Sequence, residues 1–141
     1  MSEDESLYDR GQRVRREVLG DEHVDRALAG ASSLDSAFQR IITEMAWGGV
    51  WARPELDRRT RSLVTIAILA ALGRHEELAL HLRASQRIGV SPSEISEALL
   101  HVAVYAGVPA ANTAFTVAKR ELSPGNDASG AEGDSTPGGD E

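Results

Sequence analysis

The chain has 141 residues, enough for one domain, and no cysteine, which excludes disulfides, thiol catalysis, iron–sulfur clusters and cysteine-ligated zinc. Its formal charge of −7 is concentrated at one end: residues 123–141 hold five acids and no base, leaving −2 for residues 1–122, so no broad nucleic-acid-binding surface is expected. No apolar run reaches the roughly 18–20 residues of a membrane span, and the acidic start Ser2-Glu3-Asp4-Glu5 does not read as a signal peptide, so a cytoplasmic protein without a membrane partner is expected.

Residues 3–19 carry a helical pattern, with Leu7, Val14 and Val18 as anchors and Gly20 as a stop. Their heavy charge suggests a helix lying on a surface. A short helix follows over residues 21–29. Asp35 can N-cap a helix running to about Trp47, with Phe38, Ile41, Ile42 and Met45 on one face, after which Gly48-Gly49 and Arg53-Pro54 break the chain. Asp57 can cap a helix over residues 58–72, of which residues 63–72 are apolar on every side. Such a helix must be covered all round, by its own core or by another subunit. Gly73 ends it, and a further helix over residues 75–88 stops at Gly89. Ser91-Pro92-Ser93-Glu94 is a helix start with three concordant signals: a Ser cap, Pro in the first turn, and Glu three residues after the cap. That helix ends near Ala106-Gly107, and the last covers residues 110–121. No segment alternates as a strand does, so the fold class is all-α, in one helical domain over residues 1–122. Residues 123–141, rich in Gly, Ser, Asp and Pro, are expected to form a disordered acidic tail.

Three segments carry a resemblance to a known family: residues 51–67 (WARPELDRRTRSLVTIA), residues 72–83 (LGRHEELALHLR) continuing to 88–95 (IGVSPSEI), and residues 100–115 (LHVAVYAGVPAANTAF). In this order and spacing, over about residues 35–122, they resemble the carboxymuconolactone decarboxylase family. The resemblance implies an alkylhydroperoxidase-D-like helical bundle assembled as a homo-oligomer, a trimer or a hexamer. The peroxidase branch of that superfamily carries Cys-x-x-Cys-x-x-x-His with a Glu upstream. Laid on this chain, His81 takes the His position, the Cys positions fall on Arg74 and Glu77, and the Glu position falls near Ser62. Without a thiolate, peroxidase chemistry is excluded.

The activity implied by the resemblance is decarboxylation of a dicarboxylate butenolide to 3-oxoadipate enol-lactone and CO2, a step of protocatechuate breakdown in the β-ketoadipate pathway. One carboxylate leaves as CO2, its electrons pass through the ring double bond to the lactone carbonyl, and the dienolate is protonated at the ring carbon beside that carbonyl. Because the conjugated carbonyl is the electron sink, no cofactor is expected. The protein has to hold carboxylates with Arg, stabilise charge on the lactone oxygen and deliver a proton.

His81 is the first candidate for proton donor or oxyanion donor, against a purely structural His. Arg61, at the start of the apolar helix, either binds an anion at a cavity mouth or forms an ion pair. Arg83 is two residues from His81 and points to another side of its helix, toward another subunit's site or toward solvent. His101 either pairs with Glu97 four residues earlier or joins Tyr105, on the same helix face, in the substrate cavity. The helices of His81 and His101 are joined by a short turn, so both can face one pocket. Glu44, Trp47 and Trp51 surround the Gly48-Gly49 break, as cavity wall or as packing; the Gly pair either admits a ligand or turns the chain. Asn112 binds substrate or helps cap the last helix. His and Glu spacings match no metal motif, so no metal is expected. The rival readings are a related cofactor-free enzyme acting on another small acid or lactone, and a non-catalytic helical assembly module.

Overall fold

The computed structural model describes residues 4–122, and the expected tail at 123–141 lies outside them. All regular structure among the described residues is helical: α1 (Leu7–Leu19), α2 (Asp21–Ala29), α3 (Ser36–Ile41) running on into a π-helical segment (Ile42–Trp51), α4 (Arg58–Leu72), α5 (His75–Arg87), α6 (Pro92–Tyr105) and α7 (Val108–Leu122).

The local signals act where the residue types place them. Ser91 accepts from the Glu94 backbone N–H at 3.1 Å, and the Glu94 carboxylate accepts from the Ser91 N–H at 3.1 Å, a complete capping box with Pro92 in the first turn. Asp57 accepts from Thr60 N–H at 2.7 Å and starts α4, which Gly73 ends in the left-handed region (φ +70°). Asp35 does not cap α3 through its side chain. Its carboxylate accepts from Ser32 N–H at 2.7 Å and closes the preceding turn instead.

Two hydrophobic clusters divide the bundle. One gathers Ile66 and Ala70 of α4, Leu78 and Leu82 of α5, Ile95, Leu99 and Val102 of α6, and Ala114 and Val117 of α7. The other gathers Val14, Val18 and Leu19 of α1, Val24 of α2, Trp47 and Trp51 of the π segment, and Ala84 of α5. α5 contributes to both, one face to each. The charged helix α1 is not merely laid on a surface: Gly11, Val14, Arg15, Val18 and Leu19 are buried.

The Gly48-Gly49 pair does not turn the chain. The helix runs straight through it in π register, closing with an Ala52 N–H bond to Trp47 O at 3.1 Å. Here α1 and the π segment cross backbone to backbone. A Cβ on Gly48 would stand 2.4 Å from the Leu7 carbonyl oxygen, and one on Gly11 would stand 2.0 Å from that of Thr43. Only hydrogen fits at either position.

Candidate active site

His81 sits on α5 between the two clusters, with Leu82 turned into one and Leu80 and Ala84 packed against the other. The π segment brings Trp47 and Trp51 to it. The two indoles stack with centroids 5.0 Å apart, and the imidazole lies nearly parallel to both, at 6.2 Å and 12° from Trp47 and at 6.0 Å and 18° from Trp51. The ring makes no hydrogen bond with the described residues, and its Nδ1 is buried without a partner. Burial is the main cause that lowers its pKa from the ordinary 6.5 to about 4; His23 adds to the depression and Glu77 opposes it. At neutral pH His81 is therefore an uncharged imidazole, with one N–H to donate and one nitrogen to accept.

The other expected residues are spread more widely. Arg61 is partly buried at the start of α4. Among the described residues it forms no ion pair, donates from Nη2 to the Arg53 carbonyl at 3.0 Å, and leaves a buried Nε without a partner. Arg83 is exposed and paired with Glu121 of α7 at 2.9 Å. Glu44 is held by Arg40 one turn earlier at 2.9 Å. His101 makes no ion pair with Glu97; it stacks on Tyr105 at 6.2 Å, and both are exposed. Asn112 is exposed in the interior of α7, because that helix starts at Val108, two residues earlier than expected, so Asn112 is not a cap. The structure thus gathers His81, Trp47 and Trp51. It leaves Arg61, Glu44 and Arg83 at separate positions, and puts His101 and Tyr105 together on a bare face of α6. Surface cavities of about 230–460 Å³ among the described residues are lined by other side chains than His81, Arg61 and His101.

Several further polar residues are buried. Arg15 is 4% exposed, Thr43 and Ser62 are each 1% exposed, and the Ser62 hydroxyl oxygen has no partner. His23 of α2 is half-buried, with its pKa lowered first by burial and then by the charges of Arg15, Arg26 and Arg83. A signal for Arg15 does exist: it stands four residues after Gly11 and four before Leu19, so it shares the face on which α1 makes its closest approach. Among the described residues no group of three or more His, Asp or Glu is arranged to hold a metal ion, and no helix is long and apolar enough to cross a membrane.

Comparison with known proteins adds a family and relatives. The model of the carboxymuconolactone decarboxylase family matches residues 36–120. A 4-carboxymuconolactone decarboxylase of Acinetobacter baylyi is 51% identical over 116 residues, 82% of this chain and 87% of that protein. A nitrosuccinic acid decarboxylase of Metarhizium robertsii is 44% identical over 116 residues, 82% of this chain and 81% of the other. A 4-carboxymuconolactone decarboxylase sequence of Pseudomonas putida is 46% identical over 46 residues, 33% of this chain and 96% of that sequence.

Proposed function

The chain belongs to the carboxymuconolactone decarboxylase family, and from that premise we propose that it is a carboxy-lyase converting 4-carboxymuconolactone to 3-oxoadipate enol-lactone and CO2, in cytoplasmic protocatechuate breakdown. The observation that carries this reading is the 51% identity to a protein of that name, across most of both chains. The chemistry agrees with the site. Loss of CO2 leaves an electron pair that the conjugated lactone carbonyl accepts, so the reaction asks the protein for positioning and charge stabilisation and for no cofactor.

In this reading His81 is the group that meets the developing charge. A neutral imidazole is a weak acid but a good hydrogen-bond donor, and the depressed pKa favours the oxyanion role over the proton-donor role. Trp47 and Trp51 keep water from the imidazole, which strengthens a hydrogen bond to an oxygen whose charge grows in the transition state. Arg61, with its free buried Nε, is a candidate anion binder that this reading brings to the substrate. His101, Tyr105, Asn112, Glu44 and Arg83 reach a substrate in this reading only through assembly of a homo-oligomer, a trimer or a hexamer.

A second reading is supported by the 44% relative: decarboxylation of another small acid on the same scaffold. Supplying the purified protein separately with 4-carboxymuconolactone and with nitrosuccinic acid, and measuring CO2, decides between them. The proposal expects kcat/KM for the lactone to exceed that for the nitro acid by about 100-fold or more. The reverse order would establish the second reading, and no CO2 from either would overturn both.

A further inference from the structure

Among the described residues Arg15 is a buried cation without a counter-ion. The other arginines of α1 all meet acids: Arg10 and Arg13 pair with Glu5, and Arg16 with Asp21 and Asp25. Arg15, 4% exposed, reaches only uncharged acceptors. Its Nη1 and Nη2 each donate to Gln39 Oε1 at 3.3 Å, Nη1 also lies 3.4 Å from Thr43 Oγ1, and Nε is buried with no acceptor. These are long hydrogen bonds for a guanidinium, which carries five donors and binds a carboxylate through two parallel short ones. A charge withdrawn from water with so little in return is strongly disfavoured, and an anion is what removes the penalty.

Both acceptors of Arg15, though not Arg15 itself, line a cavity of about 400 Å³ whose wall also includes Tyr8, Leu28 and Arg40, so an anion would have to displace Gln39 and Thr43 to reach the guanidinium. The Arg40 guanidinium lies over the Tyr8 ring at 5.5 Å and is already paired with Glu44, which leaves Arg15 as the unpaired cation beside this cavity.

We propose that Arg15 is the receptor for the carboxylate that the substrate keeps, the anion entering through the cavity lined by Gln39 and Thr43. This rests on the reading of the chain as a decarboxylase of a dicarboxylate. The two carboxylates need opposite treatment. An ion pair to the departing one would hold its electrons in place, whereas an ion pair to the retained one is equally strong before and after CO2 leaves. Arg15 therefore contributes uniform binding, expressed in KM. It lies outside residues 36–120, the part matched by the family model, so the recognition it supplies is carried by α1 and not by the shared helical core.

The test is Arg15→Met, which keeps most of the stem and removes the charge. The proposal expects the unfolding midpoint to stay level or rise, because an unpaired buried charge is gone, while KM for 4-carboxymuconolactone rises by about 100-fold and kcat changes little. It also expects succinate, as a dicarboxylate probe, to raise the unfolding midpoint of the unmodified protein and not of Arg15→Met. A destabilised variant with unchanged KM would make Arg15 a strut between α1 and α3 and overturn the proposal. Should Arg15→Met fail to fold, the unmodified protein still decides, since no rise in its midpoint with succinate overturns the proposal. If the unmodified protein turns over no lactone, yet succinate stabilises it and not the variant, the carboxylate site stands and only the assigned reaction falls.

Discussion

His81 illustrates how burial sets chemistry at one residue. A free imidazole is half charged near pH 6.5; here the Trp47 and Trp51 faces and the surrounding core hold the ring neutral down to about pH 4. Between those values the unfolded chain binds a proton that the folded chain refuses, so stability rises with pH across this window and is lost as pH falls from 6.5 to 4. The depression corresponds to about 3 kcal/mol of lost stability at the acid end, and His23, also depressed, acts in the same direction. Urea unfolding at pH 7, 5.5 and 4 should show this slope, and His81→Phe should flatten most of it; an unchanged slope would mean that His81 titrates normally. His81 was legible in the sequence because its spacing within a recognisable segment singles it out. Arg15 was less so: its spacing from Gly11 and Leu19 puts it on one face with them, but an Arg on a helix rich in charge reads as solvated until the crossing of α1 with the π segment is known.

Elements with local signals were legible almost to the residue. The Ser91 capping box, the Asp57 cap and the Gly73 stop are each decided within one helical turn. The π segment was not, because Gly48-Gly49 is ordinarily a break; here the missing side chain of Gly48 lets α1 approach. Gly11 and Gly48 face the carbonyls of Thr43 and Leu7 at distances that no Cβ tolerates. Gly11→Ala or Gly48→Ala should therefore cost about 3 kcal/mol of stability, read as a lower urea midpoint. The Trp47–Trp51 stack should loosen with it, read as a red shift in tryptophan emission. Gly89→Ala meets nothing within 4 Å, although its φ of +79° still strains an added side chain, so the smaller penalty of about 1 kcal/mol expected there is the control for a crossing effect.

At the scale of the molecule, the apolar helix over residues 63–72 was read as needing cover on all sides, and one chain covers only part of it. Val64, Ile68 and Leu72, one turn apart along α4, are 47%, 51% and 64% exposed, and Phe38, Ile41 and Met45 leave a second bare stripe at 52–65%. Stripes of this size on a folded chain are expected to meet other subunits. Sedimentation should find a homo-oligomer, and Ile68→Lys should shift it toward monomer while keeping the helical circular dichroism; a monomeric unmodified protein would contradict this part of the account. His101 and Tyr105 are likewise exposed on α6, since a sequence gives the helix faces but not what covers each of them.

The claim on which the rest depends is that a neutral His81, walled by two tryptophans, stabilises the charge left when CO2 departs. Its most direct measurement is kcat for 4-carboxymuconolactone in the unmodified protein and in His81→Ala, with particle size followed alongside. The account predicts a fall of about 100-fold or more in kcat with the particle unchanged; equal kcat in the two proteins would contradict it.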